Sequence, residues 1–445
     1  MKLLQALRLE DSFSLAAVGA GGKTSALFTL ANELKTQVIL TTTTHFHKNQ
    51  LSFADVHFVV SGTGSPKLVL PDQFGKIMIT GQVENERATG LDTGEISKLH
   101  KNCFGKYSLL IEADGSRQHP LKAPAEHEPV IPDFVDTVLV VAGLDGVGKT
   151  LTEENVHRSH IFSQLTKLPL NEKITKDSLI FYLTHPAGGL KGIPPGAKRI
   201  ALLTQAGKNS IILSDVDINQ LLSYYDAIVT ANFDLPLENG RQLISVTGVY
   251  EPVAAIILAA GGATRYGEIK QLLPWLGKTM IQHIVETTLA SRVFEIVLVT
   301  GSSGEKIESV IGDLPIKIRR NLNWQDGISS SIRTGLQVIS PKSGAAIFIL
   351  ADQPAISSSL ITKILDLHSQ TLSPIIIPQV KSVRTNPVLF DQRTFPDLLE
   401  LKGDIGGKSL FNKFPVSLFS WEDERLLTDI DTPEDYTKML NRSHS

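Results

Sequence analysis

A single cysteine, Cys103, stands in a chain of 445 residues, so no internal disulfide framework can hold this protein together. Such scarcity suits a reducing compartment. With no activating motif around it, Cys103 reads as an incidental thiol rather than a nucleophile. No apolar run approaches the ~20 residues that span a bilayer. The opening Met1-Lys2-Leu3-Leu4-Gln5 soon meets Arg8, Glu10 and Asp11, which is not the pattern of a signal peptide. A cytoplasmic protein without membrane association is therefore expected. Charge of one sign is also lacking: the net value is −3, so no global basic field points to nucleic acid. Repeats and low-complexity tracts are absent as well. What remains is 42% apolar residues with ample Gly and Pro, which is enough for real cores, over a length that exceeds one ordinary domain.

Glycine and lysine mark two loops. The first follows the apolar run Ser14-Leu15-Ala16-Ala17-Val18 and reads Gly19-Ala20-Gly21-Gly22-Lys23-Thr24. Behind it Ala26, Leu27, Leu30, Ala31 and Leu34 recur at helical spacing. Strand, glycine loop, Lys-Thr and helix is the order of a P-loop, in which backbone N–H groups and a helix N-terminus receive phosphates. The fit is partial, because Ala17 stands where the full pattern has its first glycine. Gly19, Gly21, Gly22, Lys23 and Thr24 are the phosphate-binding candidates. Downstream, Tyr107 to Ile111 form an apolar strand that delivers Glu112 and Asp114, where carboxylates linked to Mg²⁺ would sit.

Thr41 to Thr44 close the short strand Val38-Ile39-Leu40 and could offer hydroxyls to a phosphate or metal, or merely end a β-rich stretch. His45 and His47 lack further partners at ligand spacing, so no metal site is assigned to them. Pro120 to Pro132 are too proline-rich for a regular helix and are expected to wrap a surface. Further strands are expected at 138–142 and 199–203. The second ends in Thr204-Gln205-Ala206-Gly207-Lys208, without the Asn-Lys-x-Asp motif that would read guanine. Strands alternating with helical stretches imply a largely parallel α/β sheet.

Five segments together resemble the YqeC-like family: Gly-Ala-Gly-Gly-Lys-Thr, Thr-Thr-Thr-Thr-His, Glu-Ala-Asp-Gly-Ser, Leu-Lys-Ala-Pro-Ala-Glu-His-Glu-Pro, and Val156-His157-Arg158. That family is regarded as an accessory to selenium-dependent molybdenum hydroxylases, so the resemblance implies a pathway more than a reaction. It covers residues 1–250, with Ser245 to Pro252 joining directly to a second domain at 253–441.

The second loop lies at 256–274, where a buried-looking strand runs into Leu258-Ala259-Ala260-Gly261-Gly262, then Arg265 and Lys270, then Leu-Leu-Pro. Glycines admit backbone N–H groups to an anion; an arginine fork and a lysine point charge can hold outer phosphates. Met280, Ile281, Ile284, Val285, Thr288 and Leu289 mark an amphipathic helix, and Ile296 to Thr300 a strand ending at Gly301. Asn321 to Ser331 read as a polar loop before another helix. Ala345 to Leu350 then carry Asp352-Gln353-Pro354 at a strand's carboxyl end, where open α/β sheets bind ligands. Thr428 to Asp435 set Asp429 and Asp431 on one face of an expected short strand.

The order resembles the nucleotidyltransferases, and in particular the molybdenum cofactor cytidylyltransferases. The segments Arg384 to Phe390 and Gly403 to Lys408 extend that likeness. Two departures stand: Thr385 replaces a glycine and Lys408 an arginine, which keeps charge but loses the bidentate fork. The resemblance implies a Rossmann-like, GT-A-like domain. It assigns Leu258, Ala259, Ala260, Gly261, Gly262 and Gly301 to nucleotide binding, and Arg265, Lys270 and Asp352 to catalysis. Asp352 and Asp431 would hold Mg²⁺, with Asp429 as the alternative second ligand. The implied substrates are CTP and a molybdopterin-type molybdenum cofactor, with a molybdenum hydroxylase apoenzyme as recipient. A sugar phosphate acceptor, or a cofactor carrier without turnover, are the alternatives.

Overall fold

The computed structural model describes residues 1–10, 12–60, 75–103, 105–206, 213–233, 242–261 and 268–443. Two compact units divide the chain, Met1–Tyr250 and Glu251–Ser445. Gly262 and Arg265, assigned above to the nucleotide and the reaction, lie outside the described residues.

In the first unit the central apolar runs become strands because they are buried almost throughout, as both faces of a parallel sheet require, while the strands at the two edges are only partly buried. The strands are β1 (Ser14–Gly19), β2 (Val38–Thr42), β3 (Val56–Val59), β4 (Lys76–Thr80), β5 (Ser108–Glu112), β6 (Thr137–Gly143), β7 (Lys198–Thr204), β8 (Ala227–Phe233) and β9 (Ile244–Tyr250). Their order is β9-β8-β7-β6-β1-β5-β2-β4-β3. All neighbours are parallel except the pair β8 and β9. The helix Lys23–Glu33 packs on β1, β5 and β9, burying Ala26, Leu27, Leu30 and Ala31. Helices Ser159–Thr166, Lys176–Thr184 and Asp215–Leu222 add Phe162, Leu179, Ile180, Leu183, Ile218 and Leu221 to a core shared with Ala16, Val18, Ile39 and Ile111.

The proline-rich segment departs from expectation. Leu121 to Pro124 are buried, and Leu121–Lys122 pair in parallel with Val156–His157. Proline excludes a helix there, but it does not exclude a buried extended segment whose neighbour supplies the backbone partners.

The second unit's sheet contains β10 (Val253–Ala259), β11 (Glu295–Thr300), β12 (Lys317–Arg320), β13 (Ala345–Leu350), β14 (Ile375–Val380), β15 (Val383–Arg384), β16 (Val388–Asp391) and β17 (Val416–Ser420). The order is β12-β11-β10-β13-β16-β14-β15, with β17 also on β14. Strands β12, β11, β10 and β13 run parallel to one another, and β16 runs antiparallel to β13 and β14. Helices Met280–Leu289, Gly304–Ile311 and Ser358–Thr371 bury their apolar stripes against Ile257, Leu298, Ile347 and Ile349. Helix Ile328–Leu336 covers Ile256, Val297, Val299 and Phe348. The fully buried Asp391 accepts from Arg393 Nε at 2.9 Å and lies 2.8 Å from His368 Nε2, tying β16 to the helix Ser358–Thr371.

The segment 428–431 is not a strand. A 3₁₀ turn at Glu424–Leu427 precedes it and it pairs with no strand, because its side chains reach toward the 352–353 turn. Among the described residues no helix is long and apolar enough to cross a membrane.

Candidate nucleotide and metal sites

Parallel pairing sets one edge of each sheet. In the second unit, register matches Leu258 with Leu350 and Ala259 with Thr300, so the ends of β10, β11 and β13 emerge together. Ala259 and Ala260 are buried and Gly261 is exposed. Gly301 lies directly against them: a Cβ there would come 2.3 Å from the Ala260 carbonyl oxygen. Asp352 follows β13. Its carbonyl accepts from Ile430 N–H at 3.1 Å, which brings the 428–431 segment alongside.

Lys270 lies between two carboxylates, 2.8 Å from Asp431 Oδ1 and 3.4 Å from Asp352 Oδ2. Burial pushes the Asp352 carboxyl above its usual range, with Lys270 opposing the shift. Burial also disfavours the Lys270 ammonium, yet Asp431 and Asp352 outweigh it and hold its pKa above the ordinary value. Asp429 goes elsewhere, accepting from Gln353 Nε2 at 2.5 Å. Lys270 thus contacts Asp431 and Asp352, while Asp429 stays near enough to Asp352 to push its carboxyl further up. Gln353 was unremarked in the sequence; its place between Asp352 and Pro354 was the available signal.

Other segments have internal duties. Asn321 Nδ2 donates to Ser330 and Ser331 at 2.7 and 3.0 Å, and all three residues are buried, so these serines are helix residues with partners rather than a polar loop. The Gly403–Asp404 turn packs on Gly327, where φ is +87° and a Cβ would meet Asp404 N at 2.6 Å. From there Asp404 Oδ1 accepts from Ile328 N–H at 3.3 Å, capping the helix Ile328–Leu336. The Arg384 guanidinium lies over the Phe411 ring, 5.6 Å from its centroid, and Lys408 is exposed.

In the first unit, the glycine loop turns on positive φ at Gly19, Gly21 and Gly22. A Cβ on Gly21 would meet Gly143 N at 2.5 Å and the Pro120 carbonyl at 2.8 Å, both of them backbone. Gly21→Ala should accordingly lower the stability of this unit by about 2 kcal/mol or more, read as a fall in its thermal midpoint. A midpoint within experimental scatter of the parent would refute that loop geometry.

The Lys23 Nζ donates to Gly19 O at 2.6 Å and is 3.1 Å from Asp114 Oδ1; Gly19 N–H donates to Asp114 Oδ2 at 3.0 Å. Thr24 Oγ1 donates to Glu112 Oε2 at 2.7 Å, and burial raises the Glu112 pKa against the pull of Lys23 and Thr24. All five phosphate-binding candidates and both carboxylates therefore meet.

Three charged residues join them that carried no assigned role in the sequence. Lys122 Nζ lies 2.9 Å from Asp114 and 2.7 Å from Glu128, and Arg158 forks onto Glu128 at 2.7 and 3.2 Å. Lys122 and Glu128 come from the proline-rich segment and Arg158 from the Val-His-Arg motif. Burial opposes the Glu128 charge, but hydrogen bonds from Lys122 and Arg158 pull its pKa down to about 2.

As for metals, no group of three or more His, Cys, Asp or Glu side chains suited to a metal ion occurs among the described residues. A carboxylate pair still fits Mg²⁺, which keeps waters and takes its remaining ligands from substrate phosphates. In the second unit the Lys270 ammonium lies between Asp352 and Asp431.

Residues 15–160 match the family described as YqeC protein, and residues 255–418 match the MobA-like NTP transferase domain. The chain is 32% identical over 217 residues to the uncharacterized protein YqeC of Escherichia coli K12, covering 48% of this chain and 83% of that one. It is 29% identical over 198 residues to the nicotine blue oxidoreductase of Paenarthrobacter nicotinovorans, covering 42% of this chain and 96% of that one. The crystal structure of Rv0371c from Mycobacterium tuberculosis H37Rv overlays 43% of this chain and 98% of its own, at 22% identity and a TM-score of 0.40.

Proposed function

Because the chain belongs to the YqeC family through its first unit and carries a MobA-like NTP transferase domain in its second, we propose that it transfers CMP from CTP to a molybdopterin-type molybdenum cofactor. The products are the cytosine dinucleotide form of the cofactor and pyrophosphate, in the service of molybdenum hydroxylase maturation. The observation that carries this reading is the Asp352–Lys270–Asp431 group at the carboxyl ends of parallel strands, beside the Ala259–Gly261 turn and Gly301.

In the reaction, an oxygen of the acceptor's terminal phosphate attacks the α-phosphorus in line. The new P–O bond forms as the bond to the β-phosphate breaks, and pyrophosphate departs with the electron pair. A phosphate nucleophile is already ionised, so no general base is required. Catalysis then rests on positioning and charge neutralisation. Backbone around Ala259 to Gly262 cradles the nucleotide, while Arg265 and Lys270 hold the triphosphate and the leaving group. Asp352 and Asp431 would hold Mg²⁺, which when bound neutralises charge on the phosphates.

The first unit is read as a P-loop-like accessory domain. Gly19, Gly21, Gly22, Lys23 and Thr24 would cradle a phosphate there, with Glu112 and Asp114 linked to its metal.

The direct test is Mg²⁺-dependent pyrophosphate release with purified molybdopterin cofactor and each of CTP, GTP, ATP and UTP. Release with CTP alone is expected. Preference for another base, or release only with a sugar phosphate acceptor, would replace this assignment. Release with none would leave a cofactor carrier. Lys270→Ala should abolish release, whereas Lys23→Ala should leave the transfer chemistry in place.

A further inference from the structure

Building on the metal assignment just made, we infer that Lys270 is a built-in placeholder cation: it occupies the divalent-metal seat between Asp352 and Asp431 and yields it only when a nucleoside triphosphate arrives. Its Nζ lies 2.8 Å from Asp431 and 3.4 Å from Asp352, within ion-pair reach of both carboxylates. The lysine side chain is 14% exposed, that of Asp352 29% and that of Asp431 52%, so the seat opens to solvent on its Asp431 side.

Asp429, which could have drawn the metal away, is occupied by Gln353 Nε2. A divalent ion arriving alone would find two carboxylates already half-neutralised by a tethered ammonium. It would have to displace that ammonium while exchanging only two of its waters for protein oxygens. A triphosphate changes both terms. Its β- and γ-oxygens give Lys270 a new partner, and they would replace further waters on the metal with charged oxygens. Metal and nucleotide therefore enter as one unit, and the same lysine that guarded the carboxylates ends on the leaving group.

The test is Mn²⁺ binding to the full-length protein, followed by electron paramagnetic resonance or calorimetry, without acceptor and without turnover. Wild type should bind Mn²⁺ weakly by itself and gain affinity with a non-hydrolysable CTP analogue. Lys270→Met should bind Mn²⁺ alone about tenfold more tightly, because a competing charge at contact distance is gone. Adding Asp431→Asn to Lys270→Met should remove that gain, which places the ion. Thermal midpoints confirm that each variant is folded.

Unchanged Mn²⁺ affinity in Lys270→Met, or tight binding by wild type without nucleotide, overturns the placeholder role. The function assignment fails separately. If the metal behaves as stated but no nucleotide yields pyrophosphate with molybdopterin, the exchange stands and the transfer reaction does not.

Discussion

Asp352→Asn will lower the rate of pyrophosphate release by about 10²–10³-fold while the protein stays folded. The loss follows from the carboxylate's position: it ends a central parallel strand, meets Lys270, and is the less exposed of the paired acids. Asparagine keeps the shape and can still accept from Lys270, but it cannot hold a divalent ion with a full charge. Stability should move the other way from activity as pH rises. Burial raises the folded pKa of Asp352, so the native state binds more protons than the unfolded state just above the ordinary carboxylate range. Wild type therefore gives up some stability as pH climbs through that window, and the asparagine variant does not. Asp431→Asn should reduce the rate less, since that carboxylate is the more exposed. Steady-state release assays with thermal unfolding on the same samples decide the matter. A greater loss at Asp431 than at Asp352 would reverse the assignment.

The largest effect on stability belongs to the first unit. Glu128→Ala should destabilise it by about 2–3 kcal/mol, because it takes one of two carboxylates from the buried Lys122, which keeps Asp114, and removes the carboxylate that Arg158 forks onto. At this domain size the thermal midpoint should fall by roughly 5–10 °C. Arg158→Ala should cost less, since that side chain is 21% exposed and water can replace part of what it gave. The pH dependence has a definite sign. The folded pKa of Glu128 is lowered to about 2, so its contribution is complete above the unfolded carboxylate value. It disappears as pH falls from about 4.5 toward 2. Chemical denaturation at pH 7 and at pH 3 measures both claims. A variant as stable as wild type at pH 7 would mean the network holds no net stabilising energy.

Legibility in the sequence tracked burial only in part, since β4 and β8 are largely buried and carried no reading. The runs at 14–18, 138–142, 199–203 and 345–350 stood out because both faces of a parallel strand are apolar, and each lies within an observed strand. Strand β12, Lys-Ile-Arg-Arg, passed unread, because an exposed edge carries no such signal. Strands β3, β4, β8 and β9 were missed as well; β9, with its buried and exposed residues alternating, merged into the passage between domains. Catalytic-type residues at strand ends were legible through their loops. Lys122, Glu128 and Arg158 were visible only as parts of motifs, since their meaning lies in distances across segments far apart in the chain. For Asp429 and Asp431 the sequence left either open; Gln353, a residue chosen by tertiary contact, separates them.

Strand β12 has a consequence beyond the fold. It closes one side of the second sheet, and among the described residues no further strand pairs with its outer flank, the kind of edge on which another chain could build. Its four residues are all exposed, and three of them are Lys317, Arg319 and Arg320. Lys317 reaches Glu295 at 2.6 Å and Arg320 reaches Glu308 at 3.1 Å, so these long side chains are held beside the strand by partners of their own. An incoming strand would have to pull those ion pairs apart before it could reach the backbone, which makes this edge a poor place for another chain to add.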